Sequence, residues 1–231
     1  MQFPIRINKY LRDKGIASRK DADKLVNAGL VFVNGNRANL GLLVQEADRI
    51  EVVKSVREKK YIYLAYCKPR GFATQGPEGT PSVIGEWAQK GLFPVGRLDK
   101  ESEGLLILTN DGRVSTAVLG GESKFEKEYV VRVKETLRAG IPAIFKKGMQ
   151  TKTFGALKPA GAEILDDQTL SVILREGKRH QIRVMLDELG YTIERLKRVR
   201  VGKILLGNLK PGQTRELEKK ELADLFPAQK G

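Results

Sequence analysis

Asp99 is the side chain around which this sequence could do chemistry. It follows Gly96-Arg97-Leu98 and precedes Ser102, Gly104 and an apolar run over residues 105 to 108, which continues to Asn110-Asp111-Gly112. A carboxylate held beside a rigid strand can serve as a nucleophile or as a base. The bland alternative is a turn aspartate that bonds only to nearby backbone. Further on, Tyr129 opens an apolar run, where an aromatic ring either packs in a core or faces a ligand. Glu176-Gly177-Lys178-Arg179-His180-Gln181-Ile182-Arg183 then brings several cations and the chain's one histidine. A lone histidine at a helix start more often caps or hydrogen-bonds than transfers protons, so His180 stays outside the expected chemistry.

The elements that must hold these residues read in two parts. Residues 6 to 14 carry Ile7, Tyr10 and Leu11 at helical spacing before the stop at Gly15. Ser18-Arg19-Lys20-Asp21 reads as an N-cap with an acid three residues on, and opens a second helix that stops at Ala28-Gly29. Short strands at residues 30 to 33 and 50 to 53, with an Asn34-Gly35 turn, complete a helix-helix-hairpin module over residues 1–56. The polar stretch from 53 to 60 makes a linker. Beyond it, runs at residues 61 to 66, 105 to 108, 129 to 133 and 170 to 174 predict an antiparallel-rich mixed sheet with flanking helices over residues 60–231. The spacing of Asn110-Asp111-Gly112 predicts a hairpin turn, and Leu217, Leu222, Leu225 and Phe226 predict one packed helical face. The fold class is α+β.

Composition narrows the partner. The 231 residues include 42 Lys or Arg and 28 Asp or Glu, a net charge of +14 that favours a polyanion, nucleic acid first. Residues 6 to 24 hold seven Lys or Arg against three acids, and residues 175 to 215 hold eleven against four. The second cluster predicts a basic surface on which Arg195, Lys197, Arg198 and Arg200 follow an RNA backbone. No apolar run approaches the roughly 18 residues of a membrane helix, so no membrane partner is expected. One cysteine, Cys67, excludes an internal disulfide framework, and the N-terminal residues lack a signal peptide's apolar centre, so a cytoplasmic protein is expected. With one His and one Cys the usual zinc ligand sets cannot form, and no Walker loop is present, so the expected chemistry uses ordinary side chains without a cofactor or metal.

The block Gly96-Arg97-Leu98-Asp99, Ser102, Gly104-Leu105-Leu106 and Thr109-Asn110-Asp111-Gly112 resembles the signature of the RNA pseudouridine synthases, specifically the ribosomal branch that carries an extra N-terminal RNA-binding domain. Ile5-Arg6-Ile7-Asn8-Lys9-Tyr10-Leu11, Ser18-Arg19-Lys20-Asp21-Ala22 and Val31-Phe32-Val33-Asn34-Gly35 resemble that domain, first known in ribosomal small-subunit protein four. The resemblance implies that Asp99 is the essential aspartate, which rearranges uridine to its carbon-linked isomer without a cofactor. Lys127-Glu128-Tyr129-Val130-Val131 resembles the second signature and implies that Tyr129 stacks on the flipped uracil, where its hydroxyl could also move a proton. Lys68-Pro69-Arg70-Gly71 resembles the first motif and is expected only to shape the floor of the site.

The segment around Arg183 resembles the third motif. A carboxylate that must stay ionised away from water needs a cation, and arginine keeps its charge, so Arg183 is paired with Asp99. Arg179-His180 stands where the ribosomal branch usually has asparagine-arginine; His-Gln-Ile-Arg is the form of a sister branch, which leaves the branch and target open. Arg19, Lys20 and Lys24 are expected to contact phosphate, as is Arg198; Arg97 is expected to fill the vacated stack or hold the backbone. The expected partner is structured RNA, ribosomal first with transfer RNA as the alternative, bound by a monomer. Whether the aspartate attacks the base, attacks the sugar or removes a sugar proton stays open. A non-catalytic ribosome assembly factor is the competing class, but a pure RNA binder gains nothing from a carboxylate facing an anionic ligand.

Overall fold

The computed structural model describes residues 3–53, 60–77, 80–120 and 125–226. Packing divides the chain into two compact units, Met1–Tyr61 with Asn110–Thr116, and Ile62–Thr109 with Ala117–Gly231. The linker expected at 53 to 60 falls mostly on residues 54–59, outside the described residues.

The first unit contains β1 (Ile5–Arg6), α1 (Ile7–Asp13), α2 (Arg19–Asn27), β2 (Val31–Val33), β3 (Asn36–Arg37), β4 (Leu43–Val44) and β5 (Ile50–Val52). Ile7 and Leu11, one turn apart, point into its core with Ala22, Val26 and Val31. The Ser18 hydroxyl accepts from the Asp21 N–H at 3.2 Å, which caps α2 as its sequence implies. Asn34 and Gly35 both have positive φ, 50° and 81°, the backbone that joins β2 to β3 by a tight turn.

The second unit, with one helix shared at its edge, contains β6 (Tyr63–Lys68), α3 (Val83–Ala88), β7 (Phe93–Val95), β8 (Glu103–Thr109), α4 (Gly112–Leu119), β9 (Lys127–Val133), α5 (Ile141–Lys147), β10 (Gln150–Thr151), β11 (Gly155–Ala156), β12 (Gly161–Asp166), β13 (Thr169–Leu174), α6 (Gln181–Glu188), β14 (Ile193–Val201), β15 (Ile204–Leu205), β16 (Thr214–Glu216) and α7 (Lys219–Leu225). Among the described residues, nine strands form one sheet in the order β12-β13-β9-β14-β8-β6-β16, with β15 added on β14 and β7 on β8. Every neighbouring pair is antiparallel except β14 and β8, which run parallel. Every residue of β8 is buried, as expected of a strand covered on both faces. The core gathers Val131, Phe145, Leu170, Val172, Met185 and Leu186 around β9, β13, α5 and α6, while Trp87 of α3 packs against Tyr66 of β6. Among the described residues no helix is long and apolar enough to cross a membrane.

Three local expectations give way. Asn110-Asp111-Gly112 opens α4 instead of closing a hairpin: Asp111 Oδ1 accepts from the Arg113 N–H at 3.0 Å, so the same short acidic side chain serves a helix start. Residues 215 to 226 do not form one helix, because residues 214–216 pair with β6 as an edge strand and only α7 is helical. The basic run at 195 to 200 is not a row of unpaired surface cations. It lies on β14, where acids on the adjoining strands and just before β9 take up its cations: Arg195 meets Glu103 at 2.5 Å, and Arg200 meets Glu128 at 2.7 Å and Glu126 at 3.5 Å.

Candidate active site

Asp99 sits in the connection from β7 to β8, and that connection is fastened on both sides of it. Thr74 brackets Leu98, its hydroxyl donating to the Leu98 carbonyl at 2.6 Å and accepting from the Leu98 N–H at 3.0 Å. The Lys100 carbonyl accepts from the Gly71 N–H at 2.8 Å and from Lys68 Nζ at 3.4 Å. Ser102 N–H donates to the Asp99 carbonyl at 3.1 Å. The residues flanking Asp99 are therefore fixed while its own side chain stays about a third exposed.

Lys68, expected only to shape the floor, is fully buried at the end of β6, and its ammonium also donates to the carbonyls of Pro69 at 2.8 Å and Phe72 at 2.5 Å. Burial pushes its pKa down from 10.5 to about 8, against the opposing pull of Asp99, Glu101 and Glu103. Between those values the folded chain has released a proton that the unfolded chain still holds. Stability therefore rises with pH across that window, and the burial penalty is carried in full below it. The denaturation midpoint of the wild type, measured relative to Lys68→Met, is expected to climb from pH 7 to pH 9.5; a constant difference would mean that Lys68 is solvated.

The cleft beside Asp99 has a volume of about 560 Å³ and is lined by β9, β14 and the turn before α6. Tyr129 of β9, half-buried, faces it between Val172 of β13 and Arg198 of β14 in the strand register. Arg97 is exposed on its rim, and Lys127, Lys178 and Arg179 add cations opposite the carboxylates of Asp99 and Glu176. Burial pushes the Lys127 pKa down, and the charge of Arg198 adds to that shift. Arg198, expected to track an RNA backbone, instead lies buried at the cleft with its Nε donating to the Leu105 carbonyl at 2.7 Å. Arg183 of α6 reaches the other side of Asp99, with Nε 4.0 Å from Oδ2 and Nη2 donating to the Ser102 hydroxyl at 3.3 Å. His180, set aside on sequence grounds, has its Nε2 3.1 Å from Asp99 Oδ1. Arg19, Lys20 and Lys24 are exposed on α2 of the other unit; Lys24 lies 3.9 Å from Asp21.

The structure thus brings Asp99, Tyr129 and Arg183 together from three separate elements. A carboxylate and an aromatic ring lining one cleft with several cations suit the handling of a neutral base on an anionic backbone. Residues 62–188 match the family described as RNA pseudouridylate synthase, and residues 5–50 match the S4 domain. The chain belongs to the RNA pseudouridylate synthase family. As an RNA pseudouridine synthase it isomerises uridine in RNA, and the non-catalytic alternative falls away. It is 37% identical to an uncharacterized RNA pseudouridine synthase of Aquifex aeolicus over 97% of this chain and 94% of that protein. It is 34% identical to the dual-specificity RNA pseudouridine synthase RluF of Escherichia coli, over 96% of this chain and 78% of that one. A crystal structure of a pseudouridylate synthase superposes with a TM-score of 0.71 at 26% identity, covering 96% of this synthase and 99% of that chain.

Lys68 and His180 are the residues that sequence reasoning undervalued. His180 offered no spacing signal, because its backbone is left-handed and lies outside α6, so helical periodicity does not place it beside Arg183.

Proposed function

We propose that this synthase, a monomer in the cytoplasm, isomerises specific uridines of structured ribosomal RNA, with residues 60–231 carrying the chemistry and residues 1–56 anchoring the RNA. Asp99 and Tyr129 on one cation-lined cleft, with Arg183 4.0 Å from the Asp99 carboxylate, carry this reading. Uridine in a helix or stacked loop hides its reacting atoms, so the nucleotide is flipped into the cleft at a cost of a few kcal/mol. Tyr129 stacks on the uracil, and Arg97, exposed beside Asp99, fills the vacated stack or holds the backbone. Ionised Asp99 promotes cleavage of the bond between the sugar and nitrogen 1. The uracil turns while trapped, carbon 5 bonds to the sugar, the proton on carbon 5 leaves and nitrogen 1 gains one. Atoms and electrons balance without a co-reactant. Arg183 sets a positive charge 4.0 Å from the carboxylate, and Arg198 supplies positive charge at the cleft.

The balance supplies the test. Ribosomal RNA made with tritium at carbon 5 of its uridines is expected to release tritium to water on addition of the protein alone. Release from transfer RNA but not from ribosomal RNA would move the target to transfer RNA.

The exposed cations of α2 carry the anchoring role. Arg19, Lys20 and Lys24 replaced together by alanine in the full chain are expected to weaken RNA binding roughly tenfold or more near physiological salt. The dependence of log affinity on log salt is expected to flatten by up to about three. An unchanged salt dependence would remove α2 from the phosphate contacts.

A further inference from the structure

His180 occupies an unusual place for a histidine. It is the N-cap of α6, yet its backbone is left-handed, with φ 59° and ψ 19°, and its side chain makes no capping bond to the helix. Among the described non-glycine residues only Asn34, in the Asn34-Gly35 turn, shares a positive φ. The surroundings impose this backbone. Gln181, almost fully buried, accepts from the Lys178 N–H at 3.1 Å and donates to Glu176 at 2.8 Å, which ties the turn from 176 to 181 into one shape. A conformation unfavourable to an L residue, kept in place by its neighbours, is what functional positions tend to show.

What that backbone achieves is the direction of the imidazole. It turns away from the helix end and sets Nε2 3.1 Å from Asp99 Oδ1, while Arg183 lies 4.0 Å from Oδ2. A carboxylate with a nitrogen group at each oxygen has less freedom to rotate about its last side-chain bond than one approached on a single side. A carboxylate oxygen accepts, so an N–H on Nε2 is the group that would hold Oδ1 from this side.

We propose that His180 is a positioning residue for the isomerisation, restraining the rotation of the Asp99 carboxylate from Oδ1 while Arg183 stands 4.0 Å from Oδ2. The proposal rests on the reading of Asp99 as the catalytic group. A reactive group left free to rotate is poorly oriented for much of the time, which lowers turnover without weakening RNA binding.

The test compares His180→Ala, His180→Gln and His180→Gly with the wild type and with Asp99→Asn, using tritium release from ribosomal RNA and thermal unfolding of each protein. His180→Ala is expected to lose about tenfold or more in kcat with KM within about twofold. His180→Gln, whose amide N–H lies as many bonds from Cβ as Nε2, is expected to recover most of that loss. His180→Gly accepts the positive φ without strain, so it should unfold at or above the wild-type temperature and yet be as slow as the alanine variant. That separation of stability from turnover is one a merely structural histidine would not produce. A kcat for His180→Ala within twofold of wild type overturns the proposal. So does a rise in KM at constant kcat, a glutamine variant as slow as alanine, or a rate that follows the unfolding temperature. Should Asp99→Asn keep its turnover, the catalytic reading itself fails; should it be inactive while His180→Ala is fast, only the role of His180 fails.

Discussion

Asp99→Asn is expected to lower turnover by roughly 10⁴-fold or more while leaving RNA affinity unchanged or slightly higher. The amide matches the carboxylate in shape, so the loop fastened by Thr74 at Leu98 and by Gly71 and Lys68 at Lys100 should keep its course. What disappears is the negative charge. In a cleft where Arg97, Lys127, Lys178 and Arg179 face an anionic ligand, that charge, like that of Glu176, opposes binding, so its loss cannot weaken affinity by repulsion. Tritium release and filter binding on the same RNA separate the two effects. Arg183→Ala tests the partner. It should also abolish release, because it leaves the Asp99 carboxylate without its guanidinium, and Arg183→Lys should restore only part of the rate, since an ammonium lacks the fork that engages Ser102 and Asp99 together. Retained turnover in Asp99→Asn would remove Asp99 from its assigned role, and weakened RNA binding would make it an RNA contact instead.

The parts of this fold that could be read from sequence are those whose signals are local. The i, i+4 pair Ile7 and Leu11, the Ser18 cap and the Asn34-Gly35 turn each act within a few residues, and the structure forms α1, α2 and the β2–β3 turn there. Local chemistry also misleads where one residue type serves two purposes. Asp111 can open a turn or a helix, and the apolar spacing of Val114 and Val118, both buried, decides for the helix.

Charge counting fails for a different reason. A sum over residues 175 to 215 does not see that Glu103 lies on the strand parallel to β14, or that Glu128 lies on the antiparallel one with Glu126 just before it. Nor could spacing bring Arg183 to Asp99; that expectation came from the motif resemblance and a general need of buried carboxylates. The left-handed backbone of His180 is set by the buried bridge through Gln181, a contact that no periodicity encodes. Sequence thus shows most of the elements and a candidate carboxylate, whereas the contacts around that carboxylate appear only once strands are paired.

Gly104 marks a close approach between paired strands, and Gly104→Ala is expected to destabilise the protein by about 3–5 kcal/mol, enough to threaten a fold whose total stability is of order 5–15 kcal/mol. Gly104, the second residue of β8, lies opposite Arg198 of β14, at the parallel junction between two antiparallel halves of the sheet. A Cβ there would stand 2.3 Å from the Arg198 carbonyl oxygen and 2.9 Å from its nitrogen, distances that only a shift of one strand can relieve. Its φ of 102° adds a strain that alanine meets and glycine does not. The same junction carries the Arg198 bond to the Leu105 carbonyl and leads directly from the Asp99 loop. Parting the strands would therefore displace Arg198 and loosen the site together. Gly207→Ala is the control: its φ is 58°, but a Cβ would meet nothing within 4 Å, so only the backbone cost of about 1–2 kcal/mol should appear. Urea unfolding of the two variants compares steric and conformational costs directly. Equal midpoints would mean that β8 and β14 do not approach as closely as Gly104 implies.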